Sequence, residues 1–473
     1  MSKSDVHVVM LPWSAFGHLI PFFNLSISLA KVGGIHISFI STPRNIKRLP
    51  KVPPNLTHLV KLVEFPMPTL DDKSLLPEDA EATSDLPNYL EQLQYLKAAY
   101  DLLQEPIQQF IADKKPDWII VDFAQYWIVE FAETHDIPLI YFSIFPAVAV
   151  GFSIAASATD KSVLESFTSP ASEILHVPLS TLCYRRYEAL EIMSSCFEED
   201  ASGVSYAQRG ADIIFACQAM AIRGCQEFDG EYLDAVHKVI DKPAIPVGLL
   251  PPAETSRNCS FNYEDDDQSI LWQEMFKWLD QQKSKTVLFV GFGSEMEPTK
   301  DQVHEIAYGL ELSGLPFIWI LQKSSWMINS DPLPTTFGEK AVVHIGWAPQ
   351  KEILAHPCIG FTLNHGGWGS VAESLQHGHV LVLLPLMYDQ GLNSRMLVEK
   401  GLGVEVERNE EDGSFTRNDI SNALTYAMVS TESEELRART TKASAIFGDR
   451  KLHDSYIASF VEYLKTDSNK SVP

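Results

Sequence analysis

Short apolar runs that alternate with helix-forming segments are the feature that most constrains the fold of this 473-residue chain. In the second half, residues 341–345, 359–363 and 380–384 are three such runs, each of the length of a buried strand. Pro349 and the capping-box pattern of residues 370–373 predict that helices begin between them. The order strand–helix–strand–helix–strand predicts parallel βαβ units and therefore an α/β fold.

The same alternation occurs in the first half of the chain. Strands are predicted near residues 6–11, 36–41, 58–64, 117–122, 138–143 and 212–216. The pattern restarts at residues 286–290, after an acidic, proline-containing stretch at 251–267 that is the best candidate for a linker. A chain of this length is too long for one ordinary domain, so at least two are predicted.

Residues suited to a nucleotide pocket gather at the predicted carboxyl ends of the second-half strands. His365, Gly366 and Gly367 stand directly after one strand and before a helix. Ligands of parallel sheets bind at this edge, where glycines let a phosphate approach the backbone and a helix N-terminus offers N–H donors. Trp347 at one end of the region and residues 389–390 (Asp-Gln) at the other suit a base and a sugar.

From Trp347 to Gln390, 44 residues in all, this stretch resembles in length and spacing the donor-binding box of plant UDP-dependent glycosyltransferases, the inverting enzymes that act on small molecules. The resemblance implies that Trp347 stacks on uracil and that the Ala348 backbone reads the edge of the base. It also implies that Gln350 and Glu373 hold the ribose hydroxyls. A helix cap is the structural alternative for Glu373.

The resemblance assigns the phosphates and the sugar to the rest of the box. His365 and Ser370, with Ser294 from the turn after residues 286–290, are expected to meet the phosphates. Trp368, Asp389 and Gln390 are expected to meet the sugar. Gly369 stands where the family commonly has Asn, so only its backbone N–H remains as a donor. As isolated residues, Ser370 and the others are each compatible with a structural role.

His18 and Asp122 form a second predicted site, in the first half of the chain. His18 follows the first predicted strand, and Asp122 ends the strand near 117–122. A lone histidine at such a place is more often a packing residue, but a carboxylate partner would orient its ring and stabilise its charged form. In the resembled family these positions are the general base and its partner. His18 would then deprotonate an acceptor hydroxyl while UDP departs, with inversion at the anomeric carbon.

Aromatic residues near His18 are candidates for an apolar acceptor pocket. The alternative is that about half of them are ordinary core residues, as aromatics beside strands usually are. The candidate acceptor contacts are Trp13, Phe16, Phe123, Trp127, Phe145 and Tyr388.

The resemblance extends over nearly the whole chain and implies a GT-B fold, in which two Rossmann-like domains with parallel sheets face a cleft. It implies an acceptor-binding domain at residues 1–250 and a UDP-sugar-binding domain at 268–447, joined by the linker at 251–267. A C-terminal helix within 448–473 is expected to pack back on the N-terminal domain.

Residues 76–83, 247–252 and 408–415 resemble the branch of this family that extends sugars already attached to terpenoid, steroid or flavonoid glycosides. UDP-glucose is the favoured donor, since Gln390 fits glucose, and UDP-rhamnose is the other candidate. A non-catalytic UDP-sugar-binding protein of the same fold and a nicotinamide-dependent oxidoreductase are the alternatives from other classes.

The charge balance of 37 basic against 62 acidic residues, a net charge of −25, argues against nucleic acid and anionic membranes as partners. No metal-ligand spacing occurs, so neither a cofactor nor a metal is expected beside the UDP-sugar. Without an evident signal peptide or membrane-length apolar stretch, a cytoplasmic monomer without stable membrane insertion is expected.

Overall fold

The computed structural model describes residues 5–251, 266–293, 295, 298–323, 326–327, 333–334 and 337–467. The chain forms two compact units. The first comprises Met1–Cys183, Ala189–Leu250 and Arg450–Pro473, and the second comprises Tyr184–Glu188 and Pro251–Asp449. Ser294 and most of the predicted linker lie outside the described residues.

The first unit is built on a seven-stranded parallel sheet in the order β3-β2-β1-β4-β5-β6-β7. Its strands are β1 (His7–Leu11), β2 (His36–Ser41), β3 (Val60–Glu64), β4 (Trp118–Val121), β5 (Leu139–Ser143), β6 (Ala219–Ile222) and β7 (Ala244–Pro246). All of β4 and β5 is buried, as expected in a parallel sheet with both faces covered. Strand order reverses between β1 and β4, so the loops after these two strands meet at one edge.

Twelve helices within the described residues accompany this sheet and the chain around it. They are α1 (Phe16–Gly33), α2 (Pro43–Arg48), α3 (Tyr89–Asp101), α4 (Gln104–Lys114), α5 (Ile128–Thr134), α6 (Ala147–Ser157), α7 (Val163–Thr168), α8 (Ala171–Ile174), α9 (Arg186–Ile192), α10 (Tyr206–Ala216), α11 (Gln226–Ile240) and, at the end of the chain, α19 (Arg450–Asp467). The last helix packs on the first: a Cβ on Gly33 would lie 2.6 Å from Val461, and Trp118 Nε1 donates to Leu464 O at 3.0 Å.

The strand predicted near residues 212–216 is wrong. That stretch is the end of α10, and the strand lies just beyond it as β6. The run Ile-Ile-Phe at residues 213–215 is typical of a strand, in which Ile213 and Phe215 would share one face. Ile213 is buried and Phe215 is exposed, as expected for two residues on opposite faces of a helix. In β6 the small residues Ala219 and Ala221 are tolerated because both faces of the strand are covered.

The second unit has a six-stranded parallel sheet in the order β10-β9-β8-β11-β12-β13. Its strands are β8 (Val287–Gly291), β9 (Phe317–Leu321), β10 (Ala341–Ile345), β11 (Ile359–Asn364), β12 (Val380–Leu383) and β13 (Gly403–Glu405). Here the strand order reverses between β8 and β11, which brings together the loops that follow them.

The helices of the second unit are α12 (Asp266–Asp280), α13 (Lys300–Ser313), α14 (Gln350–Leu354), α15 (Trp368–Gln376), α16 (Gln390–Glu399), α17 (Arg417–Val429) and α18 (Ser433–Phe447). The predicted capping box is wrong: α15 begins at Trp368 with Gly367 as its N-cap, which puts Ser370 inside the first turn. Pro349 is the N-cap of α14 rather than its first residue. The helix α14 therefore starts one residue after the predicted place, and α15 starts three residues before it.

None of the helices in the described ranges combines the length and the apolar character needed to cross a membrane.

Candidate active site

His18 and Asp122 meet at the point where the first sheet reverses its strand order. His18 lies in the first turn of α1, and Asp122 directly follows β4. Nδ1 of His18 is 2.8 Å from Oδ2 of Asp122. A carboxylate accepts, so Nδ1 carries the hydrogen and the lone pair of the neutral ring is on Nε2. The side chain of Asp122 is 1% exposed and that of His18 is 12% exposed, so the carboxylate is hidden and the ring is nearer to solvent.

Backbone donors fix the carboxylate of Asp122. Oδ2 also accepts from the backbone N–H of Trp13 at 3.0 Å, and Oδ1 accepts from the N–H of Phe123 at 2.8 Å. Because these bonds satisfy a buried charged group, the carboxylate is held in one orientation toward the ring. The pair has the geometry of a histidine base with an orienting acid.

Aromatic rings surround this pair. Phe123 and Phe145 lie 5.7 Å and 5.8 Å from the His18 ring, and Trp13 lies 5.9 Å from Phe123. The predicted acceptor residues Phe123 and Phe145 thus lie next to the His18 ring, and Trp13 lies next to Phe123. Their rings form an apolar surface next to a polar group, the composition of a small-molecule site.

The other aromatic candidates have different surroundings. Phe16 packs on the core of the first unit, with the guanidinium of Arg48 5.7 Å from its ring. Trp127 is buried at the N-cap of α5. Tyr388 belongs to the second unit, where its φ of 49° is the left-handed conformation that non-glycine residues seldom adopt.

Sequence reasoning missed Tyr206, in the first turn of α10. Its ring lies 4.1 Å from that of Phe123 and is tilted by 30°, so it extends the aromatic surface next to His18. The sequence analysis predicts a strand near residues 212–216 and does not predict the helix that begins at Tyr206. The N-cap Ser205, which accepts from Gln208 N, was the available clue.

Trp347 lies on the second unit, after β10, and its indole is 64% exposed. His344 fixes the turn that carries Trp347: its Nε2 is 2.8 Å from the Trp347 carbonyl oxygen, and its ring centre is 4.7 Å from that of Trp272. Burial lowers the pKa of His344, opposed by the bond to this carbonyl. An exposed aromatic face on a fixed turn suits base stacking. The neighbouring Ala348 is buried.

Gln350 and Glu373, both predicted to hold ribose, contact each other. Gln350 Nε2 donates to Glu373 Oε2 at 2.8 Å. The bond joins α14 to α15 and leaves Glu373 Oε1 and the carbonyl of Gln350 to accept from hydroxyl groups. The two side chains are therefore close enough to act on one ligand group.

The loop after β11 is built on glycines and a buried imidazole. His365 is largely buried, and burial lowers its pKa to about 4. The ring fits against Gly293, where a Cβ would lie 2.9 Å from His365 Cε1. Among the described atoms, His365 Nδ1 has no hydrogen-bond partner. A neutral imidazole at this edge can donate one hydrogen bond to an anion.

The first turn of α15 offers backbone N–H groups more than side chains. Trp368 is buried with its ring 6.1 Å from Phe447, whereas Gly369 is exposed and Ser370 is partly exposed. The indole predicted to meet the sugar thus packs inside the unit. Trp368 instead forms the start of α15, where the free N–H groups and the partial positive charge of the helix favour an anion.

Asp389 and Gln390 start α16 and are fixed by the polypeptide around them. Gln390 Oε1 accepts from the backbone N–H groups of Leu386 and Met387 at 2.9 and 3.0 Å. Asn393, fully buried, donates to Asp389 Oδ2 at 2.6 Å and to Gly366 O at 3.1 Å. Asn393 was not predicted as a site residue, although it lies one turn from Asp389. It joins the sugar end of the region to the phosphate end.

No group of three or more His, Cys, Asp or Glu side chains in the described part of the chain could hold a metal ion. The described residues form a histidine–carboxylate pair in one unit, and an exposed indole, glycine-rich amides and fixed polar side chains in the other.

Comparisons with known proteins give the family of the chain. The family described as UDP-glucoronosyl and UDP-glucosyl transferase matches residues 253–464, which span most of the second unit. UDP-glycosyltransferase 91A1 of Arabidopsis thaliana is 38% identical over 476 residues, covering 98% of this chain and 97% of that protein. The soyasaponin III rhamnosyltransferase of Glycine max is 36% identical and covers 98% of this chain and 96% of its own length.

The fold also matches solved structures. The crystal structure of UGT71G1 from Medicago truncatula, complexed with UDP-glucose, aligns with a TM-score of 0.73 at 20% identity. The alignment covers 98% of this chain and 98% of that one. At this identity the likeness concerns the fold, which is the α/β arrangement of two parallel sheets called GT-B.

Proposed function

The chain belongs to the UDP-glycosyltransferase family, whose members transfer a sugar from a UDP-sugar to an acceptor, and we propose that it performs this transfer with inversion on a hydroxyl group of a small-molecule glycoside. The observation that carries the proposal is the 2.8 Å contact between His18 and the buried carboxylate of Asp122. UDP-glucose is the favoured donor, and the acceptor is a terpenoid, steroid or flavonoid glycoside.

In the proposed step His18 is the general base. Nε2 takes the proton of the acceptor hydroxyl as the oxygen forms a bond to the anomeric carbon. The bond from that carbon to the UDP oxygen breaks on the opposite face, and its electron pair leaves with UDP. One displacement inverts the configuration. Asp122 stabilises the imidazolium that forms and keeps the ring in the required tautomer.

The donor is assigned to the second unit. Uracil stacks on Trp347, next to the backbone of Ala348, and Gln350 and Glu373 take the ribose hydroxyls. The diphosphate lies against His365, Gly369 and Ser370 at the start of α15, with Ser294 as a further contact. These donors are in place before reaction, so they stabilise the charge that develops on UDP. We propose that they replace a metal ion in this role.

Donor selection is assigned to Asp389 and Gln390, whereas Trp368, whose ring packs against Phe447, contributes the backbone at the start of α15. Because both lone pairs of Gln390 Oε1 face backbone donors, its amide NH₂ is the group left to donate to a sugar hydroxyl. Asp389 Oδ2 accepts from Asn393 at 2.6 Å, which fixes the direction of this carboxylate at the start of α16. This hydrogen-bond set supports a fully hydroxylated hexose such as glucose. The rhamnosyltransferase among the relatives keeps UDP-rhamnose as the other candidate.

The acceptor assignment rests on the aromatic surface around His18. Trp13, Phe123, Tyr206 and Phe145 form an apolar wall beside the base. Such a wall suits a fused-ring or polyphenol skeleton, whose burial contributes roughly 25 cal/mol per Å² of apolar surface.

Product mass tests the proposal. The purified chain is incubated with UDP-glucose and with UDP-rhamnose in separate reactions, each with a triterpenoid monoglycoside and with its sugar-free core. One hexose added to the monoglycoside alone is the expected result. Addition to the sugar-free core would keep the assignment as a sugar transferase and overturn the proposed acceptor class. Addition of a deoxyhexose would show that the donor is UDP-rhamnose rather than UDP-glucose.

An absence of product with both donors across a wider acceptor panel, with UDP still bound, would instead support a non-catalytic UDP-sugar-binding protein. The replacement of the usual Asn by Gly369 is the observation that favours this alternative.

A further inference from the structure

The loop between β12 and α16, residues 385–390, is held by residues distant in sequence. Arg408 donates through Nη1 to the Pro385 carbonyl and through Nε to Gly413 O. Within the loop, Tyr388 has a φ of 49°, a conformation that persists only where surrounding contacts impose it. The loop that carries Asp389 is therefore a strained segment with an external support.

Part of this support comes from the segment Tyr184–Glu188, which belongs to the second unit although the chain on both sides of it belongs to the first. The Glu188 carboxylate accepts two bonds from Arg395 in α16, from Nη2 at 2.6 Å and from Nη1 at 3.3 Å. Such two-pronged bonds fix direction as well as distance.

Further charges complete the cluster around Arg395. Its Nη1 also lies 3.4 Å from Glu405 Oε1, and Arg185 lies 3.2 Å from the same carboxylate. The four side chains of Arg185, Glu188, Arg395 and Glu405 are between 10% and 20% exposed. Glu410, which is exposed, also lies 3.8 Å from Arg185. The other four charges lie in a poorly solvated place, so removing Glu188 leaves the guanidinium of Arg395 with less compensation.

Glu188 reaches the first turn of α16 because Gly391 has no side chain. A Cβ at Gly391 would lie 2.4 Å from Glu188 Oε1 and 2.5 Å from Arg395 Nη2. Gly391 directly follows Gln390, so the carboxylate rests on the backbone next to the residue assigned to the sugar. A negative charge there also favours the helix N-terminus.

Tyr187 supports the other end of the loop. The Arg408 guanidinium lies 5.2 Å from the centre of the Tyr187 ring and 5.9 Å from that of Phe415. The ring also packs against Gly413, where a Cβ would be 2.5 Å from Tyr187 Cε2. Tyr187 therefore holds the arginine that binds the Pro385 carbonyl.

We propose that Tyr187 and Glu188 are positioning residues for donor-sugar recognition, Tyr187 acting through Arg408 on Pro385 and Glu188 through Arg395 and Gly391 on Asp389 and Gln390. The inference rests on the proposed assignment of Asp389 and Gln390 to the sugar. The contacts that the described residues give Tyr187 and Glu188 lead to Arg408, Gly413, Arg395 and Gly391, and through them to the loop that carries Asp389. We therefore expect loss of either contact to weaken binding of the UDP-sugar more than binding of UDP.

The test compares Glu188→Gln with Glu305→Gln. Glu305 pairs with Arg417, which lies over Tyr308 in the same unit, so the control removes the same charge from an arginine pair outside this cluster. The dissociation constants of UDP-glucose and of UDP are measured by calorimetry without acceptor. Glu188→Gln is expected to raise the dissociation constant of UDP-glucose about tenfold and that of UDP less than about twofold. The reason is that loss of the contact with Arg395 displaces Asp389 and Gln390, the groups assigned to the sugar. Glu305→Gln is expected to change neither.

Gly391→Ala separates positioning from loss of charge or folding. The methyl group pushes the ends of Glu188 and Arg395 aside and improves helix propensity. We expect the melting temperature to hold while the UDP-glucose dissociation constant rises as in Glu188→Gln. Equal weakening of UDP and UDP-glucose, or unchanged binding of both in the two variants, would overturn the inference. Failure of the proposed function would appear separately, as absence of product from the unchanged protein.

Discussion

The seven-stranded sheet of the first unit and the six-stranded sheet of the second reverse their strand order in the same way, between β1 and β4 and between β8 and β11. The loops at these two places are built differently. After β1 and β4 the chain places two ionisable side chains in contact, His18 and Asp122, and surrounds them with aromatic rings. After β8 and β11 it places glycines and a buried imidazole.

The same reversal of strand order can therefore support two different tasks, a proton transfer and the binding of an anion. A proton transfer depends on one side chain and its partner, so few residues carry the chemistry of the first unit. Binding an extended anion requires several hydrogen-bond donors at fixed positions. The second unit therefore presents backbone N–H groups, and Asn393 fixes the segments at Gly366 and Asp389. Substitutions should therefore act on the rate in the first unit and on affinity in the second.

Replacing His18 by Ala gives the largest expected effect. Without the base the turnover number should fall by about 10²- to 10⁴-fold, while the dissociation constant of UDP changes less than about twofold. Turnover by product mass and UDP binding by calorimetry measure the two. The control is His36→Ala, which removes a half-exposed histidine paired with Asp5 in the same unit. Unchanged turnover in His18→Ala would remove the base assignment.

Gly366→Ala tests the backbone side of the comparison. Gly366 has a φ of 81°, and a Cβ there would lie 2.5 Å from Ser394 Oγ and 3.0 Å from Gln390 O. We expect about 1–3 kcal/mol of destabilisation from crowding, beyond the cost of the left-handed conformation, together with weaker UDP binding. Gly314→Ala is the matched control: its φ is 62°, and nothing lies within 4 Å of the added atom. If both variants melt alike and bind UDP alike, close packing at Gly366 has no role.

The imidazole of His365 predicts a pH dependence of stability. Burial lowers its pKa to about 4 from an ordinary value of 6.5, so the unfolded chain binds more protons between these pH values. Stability is then fully present above about pH 6.5 and is lost as the pH falls toward 4, by at most about 3 kcal/mol.

Melting temperatures of the unchanged protein and of His365→Gln between pH 4 and 7 check this expectation. The curve of the variant should be flatter over that interval, whereas His36→Gln should leave the slope as it is. Parallel curves for the unchanged protein and His365→Gln would contradict a neutral, buried His365.

A chelator should have the smallest effect. If the donors of the second unit stabilise UDP without a metal, excess EDTA changes the turnover number by less than about twofold, and added Mg²⁺ restores nothing. The assay is the product-mass reaction, run with protein dialysed against EDTA. A tenfold loss that Mg²⁺ or Mn²⁺ reverses would require a cation at the diphosphate.

Sequence patterns located most strands because buried parallel strands are short continuous apolar runs, as in β4 and β5. They failed near residues 212–216, where burial of one helix face imitates such a run. They also placed a capping box at residues 370–373, whereas Glu373 bonds to Gln350, a partner from another helix. Local patterns give no information on such distant partners.

Spacing along the chain was sufficient to identify the α/β class, the family resemblance, His18, Asp122 and the residues from Trp347 to Gln390. Which of these residues meet is set by the tertiary structure. It turned the indole of Trp368 inward, added Tyr206 and Asn393, and brought Tyr187 and Glu188 to the loop at residues 385–390. These contacts join residues up to 221 positions apart, a separation that local sequence patterns do not relate.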